Sequence, residues 1–223
     1  MFIDFEIHNA QYNMDFDAKL LTKCEEEDID FALRLYAWEA PSITLGRNQT
    51  VSGVDEDFCN ENNIPIVKRV TGGRALLHDD ELTYCVVCNK KILKDGTSVM
   101  ADYKELSGIL LKAFNISGIN AEYGEKTKSN IGAGYCMNLS TICDINYAGK
   151  KFIGSAQYRR NTHILQHGSI PFSFNKELLK KLFPNEESFD HIISLNEIDP
   201  NFDVQKFMQT LKDCFFEELN QRG

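Results

Sequence analysis

The sequence predicts an α+β domain built on a mixed, mostly antiparallel β-sheet flanked by helices. Runs rich in β-branched and aromatic residues follow one another in hairpin-like succession, and amphipathic stretches of helical period are interposed irregularly among them. A length of 223 residues, with 43% hydrophobic and 26% charged side chains, suffices for one sizeable core. Neither repeats, low-complexity tracts nor a linker divide the chain, so one domain over residues 1–223 is expected.

Phe16, Leu20 and Leu21 are spaced for a helix, and the acidic run Glu25-Glu26-Glu27-Asp28 reads as a solvated turn after it. Phe31–Trp38 and Ser42–Leu45 read as strands, broken by Pro41 and closed by Gly46, and their proximity predicts a hairpin. Val54 to Asn62 fits a short helix and Ile64 to Val70 a strand. Thr71-Gly-Gly-Arg74 then turns the chain into further strand, ending in Leu82-Thr-Tyr-Cys-Val-Val-Cys88. From Ser98 to Ile116 the apolar residues Met100, Tyr103, Leu106, Leu110, Ala113 and Phe114 recur at helical period, with Gly118 as the stop. Ser129–Tyr135, polar and Gly-containing, reads as a loop. Residues 141–160 read as strand, a turn at Ala148-Gly149, and strand, and another strand follows from His163. C-terminal helices are expected over about 175–220: Asn175–Leu182, stopped before Pro184, and Val204–Leu219 with its stripe of Phe207, Leu211, Cys214, Phe215 and Leu219.

Lys plus Arg number 24 against 33 Asp plus Glu, a net charge of −9 that disfavours nucleic acid as a partner. The mean hydropathy of −0.33 and the lack of a long apolar run argue against a membrane span. The N-terminus shows no basic segment leading into an apolar one, so a cytoplasmic chain is expected, with a monomer as the default for this size. Seven scattered cysteines suit no disulfide framework and read as reduced thiols. Cys85 and Cys88 lie three apart on a strand and so face opposite ways; they are read as buried thiols, and no metal site is expected.

Three segments combine glycine with polar residues inside strand-like sequence. In Arg69-Val-Thr71-Gly72-Gly73-Arg74, followed by His78, paired glycines let backbone N–H groups approach an anionic or carbonyl group closely; the pattern equally fits a Gly-rich turn with solvated arginines. In Gly149-Lys150-Lys151-Phe-Ile-Gly154-Ser155-Ala156-Gln157, continuing to Arg159-Arg160 and Gln166-His167-Gly168-Ser169, no acid occurs between Ile145 and Asn175. That makes a candidate basic patch for an acidic partner, or a surface hairpin with solvated charges. As a strand, it would put Lys151 with Ile153 on one face and Phe152 with Gly154 on the other, and a lysine on an apolar face is suited to proton exchange. Cys136 stands in a polar loop, where neighbouring cations would make its thiol a nucleophile; an inert thiol is the other reading. His78, His163 and His167 are candidate bases or structural histidines.

Taken together, these segments resemble the lipoate-protein ligase and octanoyltransferase family, which shares a fold with biotin protein ligases. The resemblance runs from Pro41 to Pro171. Pro41-Ser-Ile-Thr-Leu-Gly-Arg-Asn-Gln49 is similar to the family's strand and turn before the active site. Lys68 to Asp79 is similar to its lipoate-binding Gly loop, and Lys151-Phe-Ile-Gly-Ser-Ala-Gln157 to the segment that carries its active-site lysine. Arg74, Asp80-Glu81 and Cys136 resemble the cysteine-dependent octanoyltransferases of Gram-positive type, whereas ATP-dependent ligases commonly carry a third Gly and a Gly-Asn pair at the first two places. Met-Asn-Leu-Ser-Thr-Ile after Cys136 departs from the Pro-Ser-Tyr-Glu pattern usual there.

The resemblance implies a biotin/lipoate ligase catalytic-domain fold without an accessory domain, and an N-octanoyltransferase that needs no cofactor. Its donor would be octanoyl-acyl carrier protein and its acceptor a lysine of an apo lipoyl domain or glycine-cleavage H protein. Cys136 and Lys151 would be catalytic; Arg69, Thr71, Gly72, Gly73, Arg74, His78, Gly154, Ser155, Ala156, Gln157, His167 and Gly168 would line the substrate, and Lys150, Arg159 and Arg160 would dock the acidic partners. The alternatives are a lipoate-protein ligase acting through lipoyl-AMP with ATP and Mg²⁺, and a silent paralogue that binds an apo acceptor without modifying it.

Overall fold

In the computed structural model, residues 1–124, 135–138 and 143–220 are described. The chain opens with a strand, β1 (Phe2–His8), and a helix, α1 (Ala10–Glu26), capped by Asn9, whose side chain accepts the Tyr12 N–H. β2 (Phe31–Trp38), β3 (Ser42–Leu45), α2 (Glu56–Glu61), β4 (Ile66–Lys68), β5 (Leu76–His78) and β6 (Glu81–Asn89) follow. Then come α3 (Val99–Ile116), β7 (Glu122–Tyr123), β8 (Ile145–Tyr147), β9 (Lys150–Arg159), β10 (His163–Pro171), α4 (Lys176–Leu182), α5 (Leu195–Ile198) and α6 (Val204–Asn220). The predicted loop over Ser129–Tyr135 lies, apart from Tyr135, outside the described residues, as do Thr141 and Ile142 of the strand expected after it.

Among the described residues the strands form two sheets, one of order β1-β2-β6-β10-β9-β8-β7 and a smaller one of order β4-β3-β5. Most neighbours are antiparallel; β1 runs parallel to β2, and β3 parallel to β4. The hairpin expected of β2 and β3 is therefore not formed. Pro41 turns the chain out of the large sheet, β2 pairs with β1 and β6, and β3 becomes the centre of the small one. The turn Ala148-Gly149 does close a hairpin between β8 and β9, with φ of 48° and 74°, a pair of positive values that matches strand twist.

α3 begins where the pattern predicts, with Ser98 accepting the Ala101 N–H, and it packs with α6 on one face of the large sheet. Phe207 of α6 stacks on Phe114 of α3 with centroids 4.3 Å apart. Each such fully buried ring contributes about 1.5–3 kcal/mol. α1 covers the opposite face, over Ala32, Tyr36, Cys85, Val87 and Leu165. Cys85 and Cys88 accordingly belong to two different cores and both are buried. A third core gathers the small sheet, α2 and α4 around Tyr135, Phe183 and Phe189. No helix among the described residues is long and apolar enough to cross a membrane.

Candidate active site

The two sheets meet at the loop between β4 and β5, which carries Arg69 to Arg74. Gly46, at the end of β3, lies so close beneath it that a Cβ there would stand 2.1 Å from Gly73 O, and Gly73 itself has φ of 99°. Cys136 opens a 3-10 turn, Cys136–Asn138, held to this loop by its own N–H, which donates to Ala75 O at 2.7 Å. Tyr135 anchors the turn from below, packed on Phe183 with centroids at 4.6 Å, its backbone N–H donating to Glu186.

Lys151 arrives from β9. Its ammonium donates to Asp144 Oδ2 at 3.1 Å and to Cys136 O at 3.3 Å, with Lys151 4% exposed. The strand alternation expected for this segment is broken. On β8, Ile145 and Asn146 are neighbours, yet they pair with Ile153 and Lys151, so β9 carries an extra residue at Phe152. The bulge sends both Phe152 and Ile153 into the α3–α6 core and brings Lys151 and Gly154 to one side, where a Cβ on Gly154 would lie 3.5 Å from Lys151 Cε.

Arg69 is a second buried cation of the site, and burial pushes its guanidinium below its ordinary range, opposed by the Cys136 sulfur. It donates to Thr44 O and Oγ1, Thr71 Oγ1, Gly72 O and Arg74 O. A point 2.6 Å from its Nη2 lies 4.0 Å from Cys136 Sγ, at the place of the missing Gly73 Cβ, so thiol and guanidinium flank one small volume.

Two cavities meet there. An inner slot is lined by Met14, Leu76, His78, His167 and Gly168, with Ala156 on its wall. An outer cleft of about 480 Å³ is lined by Arg74, Val99, Met100, Tyr103, Asp144 and Lys151. Cys136 and Ser155 line both and stand at the neck between them. Tyr103 and Tyr84 brace Ser155, through its carbonyl at 2.6 Å and its hydroxyl at 2.8 Å. Burial raises both tyrosines, so they stay neutral, and Tyr103 donates to the carbonyl. Arg74 brings into the same region a buried Nη1 that has no hydrogen-bond partner among the described residues.

Of the residues singled out from sequence, the structure gathers Cys136, Lys151, Arg69, Gly73, Arg74, His78, Gly154, Ser155, Ala156, His167 and Gly168 around the slot and cleft. Thr71 is buried behind them against His167. Gly72 is exposed and meets the site through its carbonyl alone, and Gln157 faces Gln166 at 3.1 Å, away from both cavities. Of the docking candidates, Arg159 turns inward to Asp102 at 2.7 Å; Arg160 pairs with Glu25 at 3.3 Å while staying about a third exposed, and Lys150 is exposed. At the other mouth of the loop the exposed Arg47 and Lys68 lie with Arg160 beside Tyr158. Sequence reasoning missed Gly46, Asp144, Thr44 and Asp17. The signal for Asp17 is an acid on the apolar stripe of α1, in step with Met14, Leu21 and Cys24.

A family model described as the lipoyl protein ligase A/B catalytic domain matches residues 9–216. The chain belongs to this family. Among its lipoyl ligase A/B relatives, octanoyltransferase LipM of Oceanobacillus iheyensis is 35% identical over 183 residues, 82% of this chain and 67% of that protein. Octanoyltransferase LipM of Bacillus cereus is 32% identical over 228 residues, 94% of this chain and 82% of the relative. A crystal structure of lipoate-protein ligase A bound with ATP superposes with a TM-score of 0.80 at 20% identity, over 98% of this chain and 85% of that one. That likeness establishes the lipoate ligase catalytic fold expected from the sequence.

Proposed function

We propose that the protein is an octanoyltransferase of protein lipoylation, acting as a cytoplasmic monomer. It moves an octanoyl group from acyl carrier protein to a lysine of an apo lipoyl domain or glycine-cleavage H protein. The observation that carries this reading is the position of Cys136 at the neck between an inner slot and an outer cleft, flanked by the Arg69 and Lys151 cations. The relatives named octanoyltransferase LipM support the same chemistry.

The acyl tail enters the slot, which is about 30 Å³ as it stands and must widen around the chain, and each methylene removed from water contributes about 0.8 kcal/mol. The Cys136 thiolate attacks the thioester carbonyl; a new C–S bond forms, and the carrier's pantetheine sulfur leaves and takes up a proton. The acceptor lysine enters through the outer cleft, its amine attacks the acyl-enzyme, an amide forms, and the amine's proton and the Cys136 sulfur depart. Lys151 holds the Cys136 carbonyl and adds positive charge beside the developing oxyanion; loss of one such donor typically costs about 3–4 kcal/mol. A thioester is already activated, so no nucleotide is needed. The donor set of the outer cleft suits a magnesium nucleotide poorly: among the described residues its one carboxylate is Asp144, which is paired with Lys151.

Intact mass spectrometry after mixing with octanoyl-acyl carrier protein, without ATP, tests the reading. An octanoyl adduct on Cys136 that chases onto an apo H protein is the expected result. Modification of the acceptor only with ATP, Mg²⁺ and free lipoate or octanoate would instead make the protein a ligase, and binding of the acceptor without modification would make it a silent paralogue.

A further inference from the structure

Among the described residues no carboxylate lies against Arg69. Its charge is met instead through two side-chain chains of the same order, threonine, histidine and carboxylate, which approach from opposite sides. On one side its Nε donates to Thr71 Oγ1 at 3.1 Å, Thr71 Oγ1 lies 2.8 Å from His167 Nε2, and His167 Nδ1 lies 2.9 Å from Asp17 Oδ2. On the other, its Nη1 donates to Thr44 Oγ1 at 3.0 Å, Thr44 Oγ1 lies 2.9 Å from His78 Nε2, and His78 Nδ1 lies 2.8 Å from Glu81 Oε1. All seven residues are 6% exposed or less.

A guanidinium only donates, so each threonine oxygen accepts from Arg69. With a neutral imidazole that carries its proton on Nδ1, the threonine hydroxyl donates to Nε2 and Nδ1–H donates to the carboxylate; a doubly protonated ring donates at both ends, the threonine oxygen then accepting twice. Both carboxylates are held in turn: Asp17 by Arg34 at 3.0 Å and Tyr36 at 2.9 Å, Glu81 by Trp38 at 3.0 Å and Ser169 at 2.5 Å. With Arg34 already neutralising Asp17, and His167 engaged through both nitrogens, the cluster Asp17, Cys85 and His167 is filled by hydrogen bonds rather than suited to a metal ion.

We propose that Thr44–His78–Glu81 and Thr71–His167–Asp17 are two positioning relays for Arg69, which fix its remaining N–H groups on Gly72 O and Arg74 O and hold its charge beside the Cys136 sulfur. Thr44, Glu81 and Asp17 thereby act on the reaction through Arg69, without meeting the acyl group's reacting atoms. The relays also engage the polar atoms of the slot's threonine and histidine residues with one another, which suits the slot to an apolar chain. The proposal rests on the reading of Cys136 as nucleophile.

Thr44→Val and Thr71→Val test it, because valine keeps the shape and removes only the hydroxyl. Each is expected to lower kcat by about ten- to a hundredfold, the range for a lost hydrogen bond to a charged group, with KM for octanoyl-acyl carrier protein nearly unchanged. Each should also slow iodoacetamide alkylation of Cys136 at a fixed pH. Thr44→Ser and Thr71→Ser should restore both rates. In an Arg69→Met background the valine substitutions should have no further effect. Wild-type kcat and alkylation rates in both valine variants, losses that merely follow Tm, or full additivity with Arg69→Met would each overturn the proposal. If Cys136→Ser retains transfer, the nucleophile reading fails; the alkylation arm, which needs no turnover, still reports on the positioning.

Discussion

Lys151 and Asp144 form an ion pair at 3.1 Å in which neither side chain is more than 4% exposed. Such a pair resists the loss of one member more than its own net contribution suggests, because the remaining charge keeps its desolvation cost. Asp144→Ala is expected to destabilise the fold by about 3–5 kcal/mol, read by urea denaturation, and to abolish transfer. A stable and active Asp144→Ala enzyme would remove Lys151 from the chemistry.

The seven thiols should separate sharply in reactivity. Cys136 is half-buried, whereas Cys24, Cys59, Cys85, Cys88, Cys143 and Cys214 are buried. Burial pushes the Cys24 thiol up to about 11 and raises the other five as well. Native protein treated with iodoacetamide at pH 8 is therefore expected to take up one equivalent, found on the Cys136 peptide. Labelling spread over several peptides would contradict the packing described.

The closeness of Gly46 to the loop predicts a contrast between two glycines. Gly46→Ala drives a Cβ into Gly73 O and should cost about 1–3 kcal/mol, with transfer impaired because the loop must shift. Gly72→Ala meets nothing within 4 Å and should leave Tm unchanged. Equal melting temperatures for both variants would show that the loop yields freely.

Arg159 is half-buried and turned onto the core-facing Asp102. Its Nη1 meets Asp102, which is fully buried, so Arg159→Ala leaves that carboxylate with the Gly96 N–H but no counter-charge and should destabilise by about 3 kcal/mol. Docking of an acidic carrier should depend instead on the exposed Arg47 and Lys68. Charge reversal at these two should raise KM and flatten the fall of the association rate with ionic strength. A transfer rate unchanged between low and moderate salt in the wild type would discount docking by charge altogether.

Glu197 provides a pH signature in the C-terminal region. Burial acts to raise its carboxyl, but the Ser194 hydroxyl and backbone N–H outweigh it and hold the group below the usual carboxylate range. Its contribution is thus present above the unfolded value of about 4.3 and fades as pH falls through the lower folded value. The Tm difference between wild type and Glu197→Gln should be constant near neutrality and shrink below pH of about 4. A difference that grows on acidification would reverse the assignment.

Much of this architecture was legible in the sequence because its cause is local. The stripes of α3 and α6, the strands β2, β3, β6 and β10, and the positive-φ turn at Ala148-Gly149 each follow from spacing within a few residues. The family motifs likewise placed the Gly loop, Lys151 and Cys136 beside one another before any coordinates. β1 was not foreseen, although Ile3, Phe5 and Ile7 alternate with Asp4, Glu6 and His8 as strand residues do; as an edge strand it leaves Phe5 and Ile7 exposed.

What the sequence by itself determined is thus the class of fold and most of its elements, and it nominated the candidate site residues. The tertiary structure alone decided where those groups point: β3 leaving the sheet of β2, the bulge at Phe152 that aims Lys151 at Cys136, Arg159 folded onto Asp102, and the relays around Arg69. The physical reason is separation along the chain. Asp17 and His167 are 150 residues apart, and Thr71 and His167 are 96 apart. A hydrogen bond between them exists only once α1 has closed over β10 and the Gly loop, and no local period encodes that.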